Sequence, residues 1–123
     1  MIPQRTEFIE HLREIREYDW LTILDLIFLI REYSDIQEAR AAFAAAGAAA
    51  VELVAEGVLV AGELDDRGDF HPWPSRTAEE AAARVNEGIA EMIRAGRNAS
   101  PGAPCWFDFA NKDRPAPPPN GTE

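Results

Sequence analysis

The patterning of the chain changes from helix to strand within residues 51–71, which read VELVAEGVLVAGELDDRGDFH. Gly57 follows the last residue of a helical pattern, a position at which a left-handed C-cap favours glycine. Residues 58–64 then have the β-branched enrichment of a strand, whereas residues 65–69 have the composition of a turn. This stretch therefore predicts a helix that ends near Gly57 and is followed by a β-hairpin.

The return arm of the hairpin is short, because only Phe70 and His71 precede two closely spaced prolines. Pro72 and Pro74 have no backbone donor, so this segment is expected at the edge of a sheet. Further along, residues 105–109 read CWFDF and are bracketed by turn residues. They predict a final strand that could join the hairpin.

Two helices are predicted in the N-terminal part of the chain. Residues 3–17 place apolar side chains at helical spacing among charged neighbours, which indicates an amphipathic helix. Asp19 is expected to cap a second helix, which is apolar on nearly every side and therefore belongs at the centre of the core. Asp25 lies on the remaining polar stripe of that helix, and we expect its carboxylate to face solvent.

A third helix is predicted from a capping signal and an alanine-rich stretch. Asp35 followed by Glu38 has the spacing of a capping box and predicts a helix that runs to Glu56. Gly47 interrupts the alanines and would cost about 1 kcal/mol relative to Ala in a continuous helix. The sequence therefore leaves open whether this helix is continuous or broken at Gly47.

The last helix is predicted from a second capping box, Thr77 with Glu80, and it is expected to end at Gly96. Helices followed by a hairpin, a C-terminal helix and a short final strand indicate a mainly helical α+β fold. We expect one globular domain over residues 1–111. Residues 112–123 are rich in proline and poor in apolar side chains, and they are predicted to be disordered.

The charge of the chain is strongly negative, with 12 basic and 22 acidic side chains. Such a surface repels nucleic acid and anionic lipid and favours a basic partner, although solubility alone could explain it. The N-terminus lacks the apolar stretch of a signal peptide, and the longest apolar run, residues 20–30, is too short to cross a bilayer. These features predict a cytoplasmic protein without membrane association.

Residues 19–74, about half of the chain, resemble the winged-helix arrangement of helices followed by a hairpin wing. With DWL at 19–21, FHPWP at 70–74 and WF at 106–107, the pattern is also similar to that of small uncharacterised actinobacterial proteins. Some of those proteins are suspected immunity partners of polymorphic toxins. The first resemblance implies architecture more than activity, and the second implies a toxin as the partner.

DNA binding and catalysis both lack the residues that they need. Winged-helix DNA binders carry lysines and arginines on the recognition helix and wing, whereas residues 52–69 contain six carboxylates and one cation, Arg67. Neither His11 nor His71 has a motif that would activate a nucleophile, and Cys105 is expected to be a small buried hydrophobe. The acidic turn does not have the spacing of a calcium loop. We therefore predict no catalytic residue, no metal site and no cofactor, and nucleic acid is an unfavourable partner.

The remaining interpretation is a surface for another protein, one that is basic. Carboxylates of the hairpin could cover the cationic active site of a nucleic-acid-cleaving toxin, and aromatic side chains could supply apolar anchors. Trp20 and Trp106 are better explained as core residues or as staples that hold the hairpin to the helices, whereas Trp73 suits either role. The predicted partner-binding residues are Glu63, Asp65, Asp66, Asp69, Phe70, His71 and Trp73.

The alternative function is a winged-helix-like regulatory or dimerisation protein without strong DNA affinity. In that case the N-terminal amphipathic helix could pair two copies of the chain. The sequence leaves open the oligomeric state and whether a ligand pocket lies between the hairpin and the last helix.

Overall fold

The computed structural model describes residues 2–110. The predicted tail and the end of the predicted domain, residues 111–123, lie outside the described part. The mainly helical α+β class is confirmed, with four helices and a three-stranded sheet. In chain order these elements are α1 (Arg5–Arg16), α2 (Ile23–Tyr33), α3 (Ala39–Ala55), β1 (Leu59–Leu64), β2 (Phe70–Pro72), α4 (Ala78–Arg94) and β3 (Trp106–Phe109).

Helix α2 begins later than predicted, because Leu21 is used by the sheet. The backbone of Leu21 pairs with Phe107, with N···O distances of 2.9 and 3.2 Å. Thr22 is therefore the N-cap, and its side chain accepts a hydrogen bond from the Leu24 N–H. The predicted cap, Asp19, is wrong; its carboxylate accepts instead from the Trp20 N–H.

Asp25 completes the capping box of α2 and does not project freely into solvent as predicted. Its carboxylate accepts a hydrogen bond from the Thr22 N–H at 2.8 Å, and the side chain is half-buried. Burial raises the pKa of the Asp25 carboxyl above its ordinary value, while the hydrogen bonds with Thr22 act in the opposite direction. The polar residue on this helix thus closes its first turn.

Helix α3 is capped by Glu38, so it begins after the predicted start at Asp35. The Glu38 side chain accepts hydrogen bonds from the N–H groups of Arg40 and Ala41, at 3.0 and 2.8 Å. The helix is continuous through Gly47, which settles the question left by the sequence. It ends as predicted, because Gly57 has a φ of 76° and the Val58 N–H bonds back to the Leu53 carbonyl.

The hairpin and the final strand form one antiparallel sheet in the order β2-β1-β3. The short β2 lies at the edge, as its prolines predict, and β3 pairs with the other side of β1, as anticipated. In the register, Glu63 lies opposite His71 and Ala61 lies opposite Phe107. The sheet therefore joins the start of α2, the end of α3 and the segment that follows α4.

The core lies where α3 packs between α2 and α4, with one end closed by the sheet. Thr77 caps α4 as predicted, by accepting a hydrogen bond from the Glu80 N–H at 3.0 Å. Ile93, near the end of α4, is 38% exposed. Within residues 2–110, no helix combines the length and the hydropathy needed to cross a membrane. The buried α4 residues are Ala82, Val85, Ile89 and Met92.

Candidate partner-binding surface of the hairpin and helix α4

The hairpin divides the predicted partner-binding residues between the two faces of the sheet. Residues directly opposite one another in an antiparallel pair project to the same face, and successive residues alternate. Glu63 and His71 therefore share one face, whereas Phe70 lies opposite Leu64 on the other. The seven residues are close in the fold, but they do not form one continuous patch.

Asp65 organises the turn of the hairpin through its side chain. Its carboxylate accepts hydrogen bonds from the N–H groups of Arg67 and Asp69, each at 2.9 Å, and lies 2.7 Å from His71 Nε2. The bond from His71, followed by the bond from the Asp69 backbone, lowers the pKa of the Asp65 carboxyl. The hydrogen bonds of the Asp65 carboxylate therefore stabilise the turn itself.

Asp66 and Asp69 are the acidic side chains that the turn presents outward. Both residues are exposed, and neither carboxylate has a hydrogen bond or ion pair within residues 2–110. Their positions are nevertheless fixed, because the backbone between them is held by Asp65. The hairpin tip thus carries two unpaired negative charges on an ordered turn.

Phe70 supports the hairpin from its other face. Its ring stacks on Trp20, with centroids 5.4 Å apart and planes inclined by 21°. The Trp20 indole N–H donates to the Gly68 carbonyl at 3.0 Å, and the Arg16 guanidinium lies 3.9 Å from the centroid of the Trp20 ring. The predicted role of Trp20 as a staple between hairpin and helices is confirmed, and Phe70 is the other half of that staple.

Trp73 links the hairpin to α4 and is half-buried against the core. Its indole N–H donates to the Glu63 carboxylate at 2.9 Å. The Arg84 guanidinium lies 3.8 Å from the centroid of the Trp73 ring, in a cation–π contact. Trp73, which the sequence suited both to the core and to partner binding, is therefore held at its edge by Glu63 and on its face by Arg84.

A cleft of about 610 Å³ opens between this end of the hairpin and α4. Within its lining Gly88 lies against Pro104, where an added Cβ would be only 2.7 Å from the proline Cβ. The sequence did not decide whether a pocket lies between the hairpin and the last helix, and the structure contains one there. Its lining residues are Glu63, Trp73, Arg84, Glu87, Gly88, Ala90, Glu91, Arg94 and Pro104.

Most of the cleft was not anticipated from the sequence, although one signal was available. Six of its lining residues, from Arg84 to Arg94, are related by spacings of three or four positions along α4 and therefore share one face of the helix. That face is the polar side of an amphipathic helix, which is ordinarily just solvated. Only the fold shows that it lies beside Trp73.

The charges in the cleft leave one carboxylate uncompensated. The lining contains three carboxylates and two guanidinium groups. Arg94 forms an ion pair with Glu91, and Arg84 is stacked on Trp73. Glu87 is exposed and has no hydrogen bond or ion pair within the described chain. The cleft therefore extends the negative field of the hairpin onto α4.

Helix α3 directly precedes the hairpin, and apart from Arg40 its exposed residues are small and uncharged. Ala41, Ala44 and Ala48 are exposed along it. Arg40, the one cation on α3, donates to the carbonyls of Arg97 and Ile93 at the end of α4. Phosphate contacts need free guanidinium or ammonium groups, which this helix does not offer.

Within residues 2–110, neither His11 nor His71 is hydrogen-bonded to the candidate nucleophile, Cys105. Cys105 is fully buried, and burial raises the pKa of its thiol to about 12, so it is a core residue as predicted. His11 Nδ1 lies 3.0 Å from the Tyr33 hydroxyl, whereas His71 is on the hairpin. Across residues 2–110 no three potential metal-ligating side chains are grouped to hold an ion.

Comparison with protein-family models, with curated proteins and with solved structures gave no match for this chain.

Proposed function

We propose that this protein is a non-catalytic binding module that holds a basic protein partner on its acidic hairpin. The observation that carries the proposal is the pair of unpaired carboxylates, Asp66 and Asp69, on a turn fixed by Asp65. A cationic surface is the natural complement of such a tip, because it neutralises both charges without any change in the fold.

The contacts that order the hairpin favour tight binding, in addition to the attraction between opposite charges. The turn is bonded by Asp65, one face is held by the stack of Trp20 on Phe70, and the other by Trp73 on α4. A preordered surface loses little conformational entropy on binding, so more of the contact energy appears as affinity. The negative field also accelerates encounter with a cationic partner in a salt-dependent manner.

The specific form that we propose is an immunity protein that covers the cationic active site of a toxin domain. Enzymes that cleave nucleic acid hold phosphate with lysine and arginine, so an acidic hairpin inserted there would compete with the substrate. Cytoplasmic residence is part of this proposal, since an immunity protein must meet its toxin where the toxin acts.

Co-purification with matched charge variants tests the proposal. The tagged protein is recovered from its native host at low and high salt, beside Asp66→Asn/Asp69→Asn and Glu32→Gln/Asp35→Asn. Both variants remove two negative charges, but Glu32 lies in the last turn of α2 and Asp35 just beyond its end, roughly 15 Å along the helix from the sheet. We expect a basic partner whose retention falls with salt and drops about tenfold in the hairpin variant alone.

Two other results would contradict the proposal. Equal loss in both variants would mean that the partner responds to net charge and not to the hairpin. Recovery of the protein alone or with nucleic acid would favour the regulatory or dimerisation alternative. For a dimer, the buried Phe8 and Leu12 leave α1 little apolar surface, and Leu24 and Phe28, which are 40% and 49% exposed, are the better contact.

A further inference from the structure

The cleft between the hairpin and α4 has features of a recognition site that the acidic hairpin tip lacks. It is concave, with a volume of about 610 Å³, which lies within the usual range of small-ligand sites. One wall is the Trp73–Arg84 pair, and carboxylates of β1 and α4 line the rest. A side chain bound there would contact both the hairpin and α4, whereas one that met the tip would contact the turn alone.

We infer that this cleft receives one cationic side chain, an arginine, from the basic partner. The charge balance indicates a single cation, because three carboxylates face two guanidinium groups. With Arg94 paired to Glu91, Glu87 remains unpaired in a lining that also contains Glu63. One bound cation would bring three positive charges against three carboxylates, so a second would have no uncompensated carboxylate to neutralise it.

Arginine suits this lining better than lysine. Glu63 uses one of its oxygens, Oε2, for the Trp73 indole N–H and retains acceptor capacity toward the cleft. Arginine has five N–H donors in a planar fork and can bond two carboxylates at once, whereas the lysine ammonium is a compact and strongly hydrated charge. Glu63 and Glu87 are the acceptors that we assign to it.

The walls that would hold this side chain are already ordered. The Trp73 ring is fixed by Glu63 at 2.9 Å and by Arg84 at 3.8 Å, and Gly88 keeps α4 against Pro104. Binding would therefore need only small rotamer changes at the glutamates. That the arginine belongs to a protein rests on the proposed function, whereas binding of an arginine derivative is a property of the cleft that can be measured without the partner.

The test is a titration of the ¹⁵N-labelled protein with N-acetyl-L-argininamide, observed at the indole N–H resonances. The Trp73 resonance is assigned by its loss in Trp73→Phe. We expect a saturable shift of that resonance in the millimolar range, little response to the uncharged analogue N-acetyl-L-citrullinamide, and a weaker response to N-acetyl-L-lysinamide. Glu87→Gln should weaken arginine binding about threefold or more, as loss of an exposed ion pair predicts.

Glu79→Gln is the matched control, because it removes the same charge from the same helix outside the cleft. Equal affinities of Glu87→Gln and Glu79→Gln, an equal shift with the citrulline analogue, or no shift at the Trp73 indole would each overturn the inference. Both substitutions are at exposed positions, and equal circular dichroism spectra would show that both proteins are folded. If the arginine derivative fails while Asp66→Asn/Asp69→Asn still loses the partner, the proposed function stands and only the cleft assignment is lost.

Discussion

Replacing Gly47 with alanine should destabilise the protein, although alanine is the better helix former. An added Cβ at this position would lie 2.7 Å from Ile89 Cγ2 and 3.3 Å from Ile89 Cγ1. Ile89 is 5% exposed and β-branched, so its side chain cannot swing away as the end of a lysine could. The contact would have to open toward 3.4 Å, where ordinary van der Waals contact begins, by moving α4 or distorting the Ile89 rotamer.

Two opposing effects set the magnitude of this change. Replacing glycine by alanine within a helix contributes about 1 kcal/mol of stability, whereas overpacking a well-filled core costs about 1–3 kcal/mol. We therefore expect a net loss of about 1 kcal/mol in the free energy of unfolding. For a domain of this size that corresponds to a fall of roughly 4 °C in Tm.

Urea denaturation followed by tryptophan fluorescence measures this change. Ala48→Gly, at the exposed neighbouring position, calibrates the helix-propensity effect in the same helix without a packing change. In an Ile89→Ala background the sign of the Gly47→Ala effect should reverse to a gain of about 1 kcal/mol, because the opposing side chain is gone. A Gly47→Ala protein more stable than the wild type would refute the close packing of α3 on α4 described here.

Two further predictions concern the capping box and the hairpin turn. Thr22→Ala should lower the free energy of unfolding by about 1 kcal/mol, because the Leu24 N–H loses its acceptor. Thr22→Ser keeps the hydroxyl and should be close to wild type in thermal denaturation. Equal losses in the two variants would show that the Thr22 hydroxyl does not stabilise the helix. The lowered pKa of Asp65 means that its ionised form stabilises the turn above pH 3.8, the ordinary value, and that this contribution is lost as the pH falls through the lower folded pKa. In a carboxyl NMR titration His71→Ala should raise the Asp65 pKa toward 3.8, and an unchanged midpoint would show that His71 is not the main cause.

Several signals confined to a few neighbouring residues are confirmed by the structure, whereas two helix starts are not. The C-cap at Gly57, the edge strand that ends at Pro72 and the N-cap Thr77 all depend on contacts within ten positions, and all are present. The two wrong helix starts have one common cause: a capping residue was available a few positions before the one that the fold uses. Asp19 is such a residue for α2, and Asp35 is another for α3.

The candidate site was predicted only in part, because its members are distant along the chain. The acidic turn is a local composition signal, and it led directly to Asp66 and Asp69. Arg84 and Glu87 belong to an ordinary solvated helix face, and no spacing in the sequence relates them to Trp73. The sequence also did not predict that the Asp65 carboxylate bonds within the turn, because its hydrogen bonds depend on the backbone geometry of the hairpin.

By itself the sequence determined the class of fold, the hairpin and the sign of the surface charge, because periodicity, turn chemistry and composition are local or additive properties. The tertiary structure alone decided three other features. Leu21 joins the sheet because it meets Phe107, α3 continues through Gly47 because that position packs against Ile89, and the cleft forms because Trp73 lies under Arg84. Each depends on residues brought together from distant positions, where the energy of packing or pairing outweighs local preferences of about 1 kcal/mol.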